Sequence, residues 1–346
     1  PRGWAGELWS PAIGAEHLAT RERAGLFDES SFAKLAVTGP GAAAFLERLC
    51  DNRVARDPGR VTYTQMLNRR GGIESDFTVT RLGDEQFQIV TGTAFGQHDL
   101  SWLRRHAPAD GSVRVDDVTA AWACFALWGP LAREILQPLT PSSLANADFP
   151  YLTAQETVVA DVPVRALRVT FVGELGWELY CPAEYGAALW RALWAAGEPL
   201  GMVAGGYRAI DTLRLEKGYR LWAADITPDD TPHEAGLSFC VRDDKDFVGR
   251  DALDGARPGR RLRCLVLEDA RSVVLGNEPV RVGGTLAGRV TSGGYGFSVE
   301  RSIAYAYLPP DAGPGTPVEV EVFGRWIPGA VAAEPLFDPR GERIRA

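Results

Sequence analysis

A chain of 346 residues is too long for one ordinary hydrophobic core, so two or three domains are expected. A net charge of −8, with no basic run longer than two arginines, argues against a nucleic-acid partner. No apolar run approaches the ~20 residues of a membrane-spanning helix, which argues against a membrane protein.

The five cysteines (Cys50, Cys124, Cys181, Cys240 and Cys264) are odd in number and widely scattered, without metal-ligand spacing. They read as core thiols in a reducing compartment, and a cytoplasmic location is expected. The chain begins at Pro1 with no methionine and no signal peptide, which suggests a piece of a longer polypeptide or a processed chain.

Trp4 and Trp9 lead into a helix expected over Gly14–Ala24, with Glu16 in its first turn, and look like packing anchors. A strand over Phe32–Val37 is broken by Gly39-Pro40, and a helix follows over Ala42–Leu49 with Phe45 and Leu49 on one face. Gly71-Gly72 then supplies a turn that residues with side chains resist. The strand after it, Ser75–Leu82, alternates: Asp76, Thr78 and Thr80 on one face, Phe77 and Val79 on the other. A carboxylate in mid-strand opposes local propensity. Either that polar face is simply wet, or Asp76 belongs to a functional site. Gln86–Thr91 and a helix over Phe95–Arg105 complete the unit.

The same phrase recurs as Ala123–Trp128, Gly129-Pro130, a helix start at Leu131–Leu136, Val164–Val172, Gly176–Cys181 and Tyr185–Ala195. This is an internal duplication of a βα–β–β–α unit, whose copies should pair about a pseudo-twofold axis with Asp76 brought toward Glu178. Along Gly173–Tyr180, alternation puts Glu178 and Tyr180 opposite Trp177 and Leu179, while Glu174 reads as an exposed turn tip. In Gly206–Trp222, Arg208, Arg214 and Arg220 read as a solvated basic helix face. The alternative is an arginine cluster facing carboxylates or an anionic ligand tail. A linker is expected at Gly255–Gly259, and an all-β tail follows through Leu262–Leu267, Val280–Val282, Gly288–Thr291, Ile303–Tyr307 and Val318–Phe323, packed on the core through Tyr307 and Trp326. The expected domains are therefore residues 1–121 and 122–255 as two halves of one core, and 260–346 as an antiparallel barrel or sandwich.

No GxGxxG, phosphate loop, HExxH or GxSxG is present, and the four histidines are dispersed. Carboxylates are the best candidates for chemistry. The phrases Gly71-Gly72-Ile73-Glu74-Ser75-Asp76, Gly173-Glu174-Leu175-Gly176-Trp177-Glu178-Leu179-Tyr180, Leu213-Arg214-Leu215-Glu216-Lys217-Gly218 and Thr231-Pro232-His233-Glu234-Ala235-Gly236-Leu237 together resemble the folate-binding aminomethyltransferase family, which includes the glycine-cleavage T-protein. Trp9–His17 and Phe247–Leu253 look most like the C-terminal half of dimethylglycine and sarcosine dehydrogenases.

The resemblance spans almost the whole chain. It implies an α+β, cloverleaf-like core of two pseudo-duplicated ferredoxin-like units plus a C-terminal β-domain, with tetrahydrofolate in a central funnel. Asp76 matches the catalytic acid beside the folate nitrogens, able to stabilise a developing iminium or shuttle a proton. Glu178 matches the acid that accepts from the pterin amine and ring N–H, two adjacent donors that one carboxylate can take. Tyr63, Thr78, Leu179, Tyr180 and Arg214 match further folate contacts. Phe171, where related dehydrogenase halves carry tyrosine, and Ile210, where the T-protein carries arginine, depart from the pattern and argue away from a lipoyl-bound aminomethyl substrate.

The implied activity takes a one-carbon unit from an N-methylated amine or iminium donor such as dimethylglycine or sarcosine. It gives 5,10-methylenetetrahydrofolate and a demethylated amine, with a possible FAD-dependent dehydrogenase domain or subunit as partner. A stand-alone folate-dependent demethylase or methyltransferase with another donor, and a non-catalytic folate-binding module, are the competing expectations.

Overall fold

The computed structural model describes residues 10–255 and 258–346. Trp4 and Trp9 lie outside them, as do Ala256 and Arg257 of the expected linker. The first helix, α1 (Pro11–Glu22), starts three residues earlier than expected. The Ser10 side chain caps it by accepting from the Ile13 N–H, and Pro11 fills the first position, where its missing N–H is not needed.

After β1 (Gly25–Asp28) come β2 (Ala33–Thr38), α2 (Ala42–Leu49), β3 (Val61–Leu67), β4 (Ile73–Gly83), β5 (Gln86–Thr91), α3 (Gly96–His106) and β6 (Arg114–Asp117). The second copy runs β7 (Trp122–Trp128), α4 (Ala132–Leu136), β8 (Ala154–Val159), β9 (Val162–Leu167), β10 (Gly176–Pro182), α5 (Gly186–Gly197) and β11 (Val203–Gly205). One sheet has the order β3-β4-β5-β2-β6 and the other β8-β9-β10-β7-β1-β11. The two orders are the same once β1 is recognised as an extra strand slipped between β7 and β11. The duplication read from the sequence is thus visible as topology.

Each sheet buries one face against its own helices. Leu35, Val37, Phe77, Val79, Phe87 and Ile89 pack with Phe45, Leu49 and Leu103 in the first half. Leu127, Phe125, Trp177, Leu179, Ala166 and Val164 pack with Ile135, Leu189 and Leu193 in the second. Alternation then sends the remaining side chains of both sheets inward, toward each other. There they share a smaller cluster of Val61, Val90, Cys124, Leu167, Val169 and Tyr180. Arg165 of one sheet donates to Gln88 of the other, and Arg60 pairs with Thr153 across the junction.

The last part is a closed six-stranded barrel of order β12-β15-β14-β13-β16-β17. Its strands are β12 (Arg261–Leu267), β13 (Pro279–Val282), β14 (Thr285–Gly296), β15 (Arg301–Leu308), β16 (Pro317–Val322) and β17 (Arg325–Ala332). Strand β17, which carries Pro328-Gly329, is not among the expected strands. It pairs with both β12 and β16, and so closes the barrel and removes its edges.

Helix α6 (Tyr207–Lys217) docks the barrel, and here the expected solvated basic face is corrected. Only Arg208 of the three arginines is exposed. Arg214 is buried and ion-paired to Asp211 at 2.8 Å and Asp225 at 2.6 Å, while Arg220 reaches Glu334 at 2.8 Å and Lys217 reaches Asp338 at 2.9 Å. These charges are tolerated in the interior because each has a partner and further hydrogen bonds. Tyr307 joins the same junction by donating to the Asp225 carbonyl at 2.8 Å, whereas Trp326 stacks on Arg281 within the barrel.

Candidate functional site

The turn before β4 is built as expected. Gly71 has φ +81°, and a Cβ on Gly72 would stand 1.8 Å from the Pro228 carbonyl oxygen. The Asn68 side chain ties the turn together, accepting from the Arg70 and Gly72 N–H groups and donating to that same Pro228 carbonyl. The approach fixes where β4 starts and hence which face Asp76 takes.

Asp76, Thr78 and Tyr63 stand on the inward face, with Tyr63 and Thr78 directly opposite each other across β3–β4. The Tyr63 hydroxyl donates to Asp76 Oδ2 at 2.9 Å. Burial raises the Asp76 carboxyl to about 7; the Tyr63 hydrogen bond opposes that rise and the charge of Asp99 adds to it. Behind Asp76, Asp99 accepts from Thr91 at 2.7 Å and lies 3.0 Å from His98, whose other ring nitrogen is 3.2 Å from Glu74. This polar string was not foreseen, since the acid of α3 and the hydroxyl of β5 are joined only by the fold.

In the other sheet, Glu178 and Tyr180 share the inward face of β10. The Tyr180 hydroxyl donates to Glu178 Oε2 at 2.5 Å. Burial raises the Glu178 carboxyl, against the Tyr180 hydrogen bond and the Lys34 charge. The two halves therefore each present a carboxylate held by a tyrosine. Asp76 sits on the first strand of its hairpin and Glu178 on the second of its own, so the two acids are not symmetry mates. They belong to separate hydrogen-bonded groups on facing surfaces.

Two of the expected folate contacts do not present their side chains to the inner faces. The Leu179 side chain is fully buried in the core behind β10, as alternation requires, so only its main chain runs along the inner face. Arg214 lies at the α6–barrel junction, with its guanidinium given to Asp211, Asp225, the Tyr219 carbonyl and Ser292. Glu174 is also not an exposed tip: it is 1% exposed and paired with Arg21 at 2.8 Å and Arg343 at 2.7 Å. Phe171 stacks on Tyr219, and Ile210 is buried beside Trp128 and Leu213.

The residue that sequence reasoning missed is Glu29. It follows β1 in a run, Asp28-Glu29-Ser30-Ser31, that reads as a polar turn. Its N–H donates to the Cys124 carbonyl at 2.9 Å, which turns its side chain inward; Asp28 and Ser30 instead line a cleft of about 680 Å³ on the outer side with Trp122 and Trp190. A ligand-capable atom of each of Glu29, Cys124 and Glu178 lies within 4.8 Å of the others. Lys34, also buried, donates to the Ser30 carbonyl at 2.8 Å, and burial lowers its pKa.

The tetrahydrofolate expected from the sequence fits this donor set. A planar edge rich in N–H groups needs anionic acceptors, and the inner faces supply the carboxyl groups of Asp76, Glu178 and Glu29.

Comparison with known proteins agrees. Residues 1–245 match the GCVT N-terminal domain and residues 260–338 the glycine cleavage T-protein C-terminal barrel domain. The chain is 36% identical to an aminomethyltransferase of Symbiobacterium thermophilum, over 97% of this chain and 92% of that protein. It is 40% identical to 4-methylaminobutanoate oxidase (formaldehyde-forming) of Paenarthrobacter nicotinovorans and 35% identical to mitochondrial dimethylglycine dehydrogenase of Rattus norvegicus, covering 97% of this chain in both. Of those two longer proteins it spans only about two-fifths, 41% and 40%. The crystal structure of glycine cleavage system aminomethyltransferase T from Bartonella henselae superposes with a TM-score of 0.84 at 30% identity, covering 94% of this chain and 90% of that one. The chain belongs to the glycine-cleavage T-protein family of folate-binding aminomethyltransferases.

Proposed function

We propose that this chain is a tetrahydrofolate-dependent one-carbon transferase whose donor is an N-methylated amino acid, handled together with an FAD-dependent dehydrogenase domain or subunit. The observation that carries the reading is the pair of tyrosine-held carboxylates, Tyr63–Asp76 and Tyr180–Glu178, on facing sheets. Two relatives named as an oxidase and a dehydrogenase of N-methylated substrates, of which this chain spans two-fifths, support the donor class and an oxidising partner.

Bound tetrahydrofolate supplies the nitrogens that take up the one-carbon unit. The protein's part is to hold and orient it and to manage charge. Glu178 accepts from the pterin edge and is itself aimed by the Tyr180 hydroxyl. Asp76, with a carboxyl near neutrality, can hold or release a proton beside the reacting nitrogens, or stay ionised and offset positive charge on the donor. Tyr63 keeps one Asp76 oxygen fixed and so orients the carboxyl. The surrounding Val61, Val90, Leu167 and Val169 lower the local dielectric and strengthen each of these interactions.

The test is calorimetric titration with tetrahydrofolate. Glu178→Gln replaces charge-assisted hydrogen bonds worth about 1.5–3 kcal/mol, so affinity should weaken by about tenfold or more. An unchanged dissociation constant would remove Glu178 from the site.

A further inference from the structure

We propose that Glu29 is a second ligand-binding carboxyl of the same pocket, which accepts from the pterin amino hydrogen that Glu178 does not take. The inference rests on the folate reading above and extends it to a residue of this chain's own.

Glu29 is 1% exposed, and neither of its carboxylate oxygens has a hydrogen-bond partner among the described residues. A buried carboxyl left unpaired is costly, and native proteins keep such groups where a ligand supplies the missing partners. Its neighbour Glu178 has one oxygen filled by Tyr180, and its Oε1 has no hydrogen-bond partner among the described residues. The pocket therefore offers open acceptors on two adjacent carboxyl groups, within 4.8 Å of each other.

The groups facing Glu29 are Glu178, Lys34, Asp28, Cys124, Tyr180 and Tyr207. Burial first, and then the charge of Glu178, push its carboxyl well above the ordinary range. With the Lys34 ammonium beside it and a buried thiol raised far above its usual value, the triad with Cys124 is a poor cation site. It suits a neutral donor-rich edge.

A 2-amino-4-oxopteridine presents a ring N–H and one amino hydrogen to one carboxylate. The second amino hydrogen lies on the other side of the amino group, next to the N1 acceptor, where a protonated carboxyl can accept from the one and donate to the other. Folic acid and tetrahydrofolate present the same amino group and N1 on that side, so Glu29 should act on both.

The experiment is calorimetric titration of the full chain with tetrahydrofolate and, separately, with folic acid, for wild type, Glu29→Gln, Glu29→Leu and Glu178→Gln. Glu29→Leu should bind both ligands at least tenfold more weakly, and Glu29→Gln, which keeps a donor and an acceptor, should lie between it and wild type. Glu178→Gln should weaken both ligands. Melting temperatures, expected at or above wild type for Glu29→Leu because it removes a buried acid, separate binding from folding. Unchanged tetrahydrofolate affinity in both Glu29 variants, with Glu178→Gln still weakened, would overturn the Glu29 assignment and leave the folate reading standing. Failure of wild type to bind tetrahydrofolate would overturn both. Stoichiometric zinc binding by wild type that Glu29→Leu abolishes would also overturn the proposal, by making the triad a metal site.

Discussion

Replacing Tyr63 by phenylalanine isolates one hydrogen bond and leaves the shape of the site unchanged. Tyr63 donates to Asp76 Oδ2 at 2.9 Å, and that bond favours the ionised carboxylate against the larger effect of burial. A hydrogen bond to a charged group is worth about 1.5–3 kcal/mol, which at about 1.4 kcal/mol per pKa unit corresponds to about one to two units. The Asp76 carboxyl should therefore rise from about 7 to about 8–9 in Tyr63→Phe.

The sign carries over to stability. Asp76 binds its proton more tightly folded than unfolded, so its contribution is fully present below its unfolded value and is lost as pH rises through its folded value. In wild type that loss ends near the folded value of about 7. In Tyr63→Phe it should continue to about pH 8–9. Carbon-13 NMR titration of labelled aspartate, with Asp76→Asn to assign the resonance, reads the shift directly. A carboxyl that titrates unchanged, or lower, in Tyr63→Phe would refute the idea that Tyr63 stabilises the ionised acid.

Other expectations follow from the same contacts. Between about pH 4 and pH 8, wild type should lose stability relative to Asp76→Asn by at most about 4 kcal/mol, and by less because Asp76 keeps some contact with water; chemical denaturation at the two pH values measures it. Leu179→Ala should destabilise by about 2–5 kcal/mol through a cavity behind β10, with folate affinity per folded molecule retained. Arg214→Ala strands Asp225 in the interior and should cost about 3–5 kcal/mol in thermal or denaturant unfolding. If it instead leaves stability intact and abolishes folate binding, Arg214 is a ligand contact after all.

Much of the fold is legible because local and global preferences agree. Phe77 and Val79 alternate with Asp76 and Thr78, and the same period runs through Trp177–Tyr180, so both inward faces could be read from the chain. Leu179 shows the reverse: strand periodicity already puts it opposite Glu178, and family resemblance alone made it a contact. What could not be read are pairings made far along the chain. Glu174 meets Arg21 and Arg343, 153 and 169 residues away, and nothing in Gly173–Gly176 announces them. Arg214 looks solvated until Asp225 and Ser292 close over it. Strand β17 hides behind Pro328-Gly329, and Glu29 behind a run of turn-forming residues. In each case the deciding partner belongs to another element, and burial of a polar group leaves no mark on its own neighbours in sequence.

The most direct test of the central claim is single-turnover transfer at saturating tetrahydrofolate from an N-methylated amino acid oxidised by an FAD-dependent partner. Wild type is compared with Asp76→Asn, and binding is measured in parallel. The account predicts methylenetetrahydrofolate formation by wild type, a loss of about 10²–10⁴ in rate for Asp76→Asn, and tetrahydrofolate affinity within a few-fold of wild type in that variant. Near-normal transfer by Asp76→Asn, or binding without turnover by wild type over a panel of N-methylated donors, would contradict it.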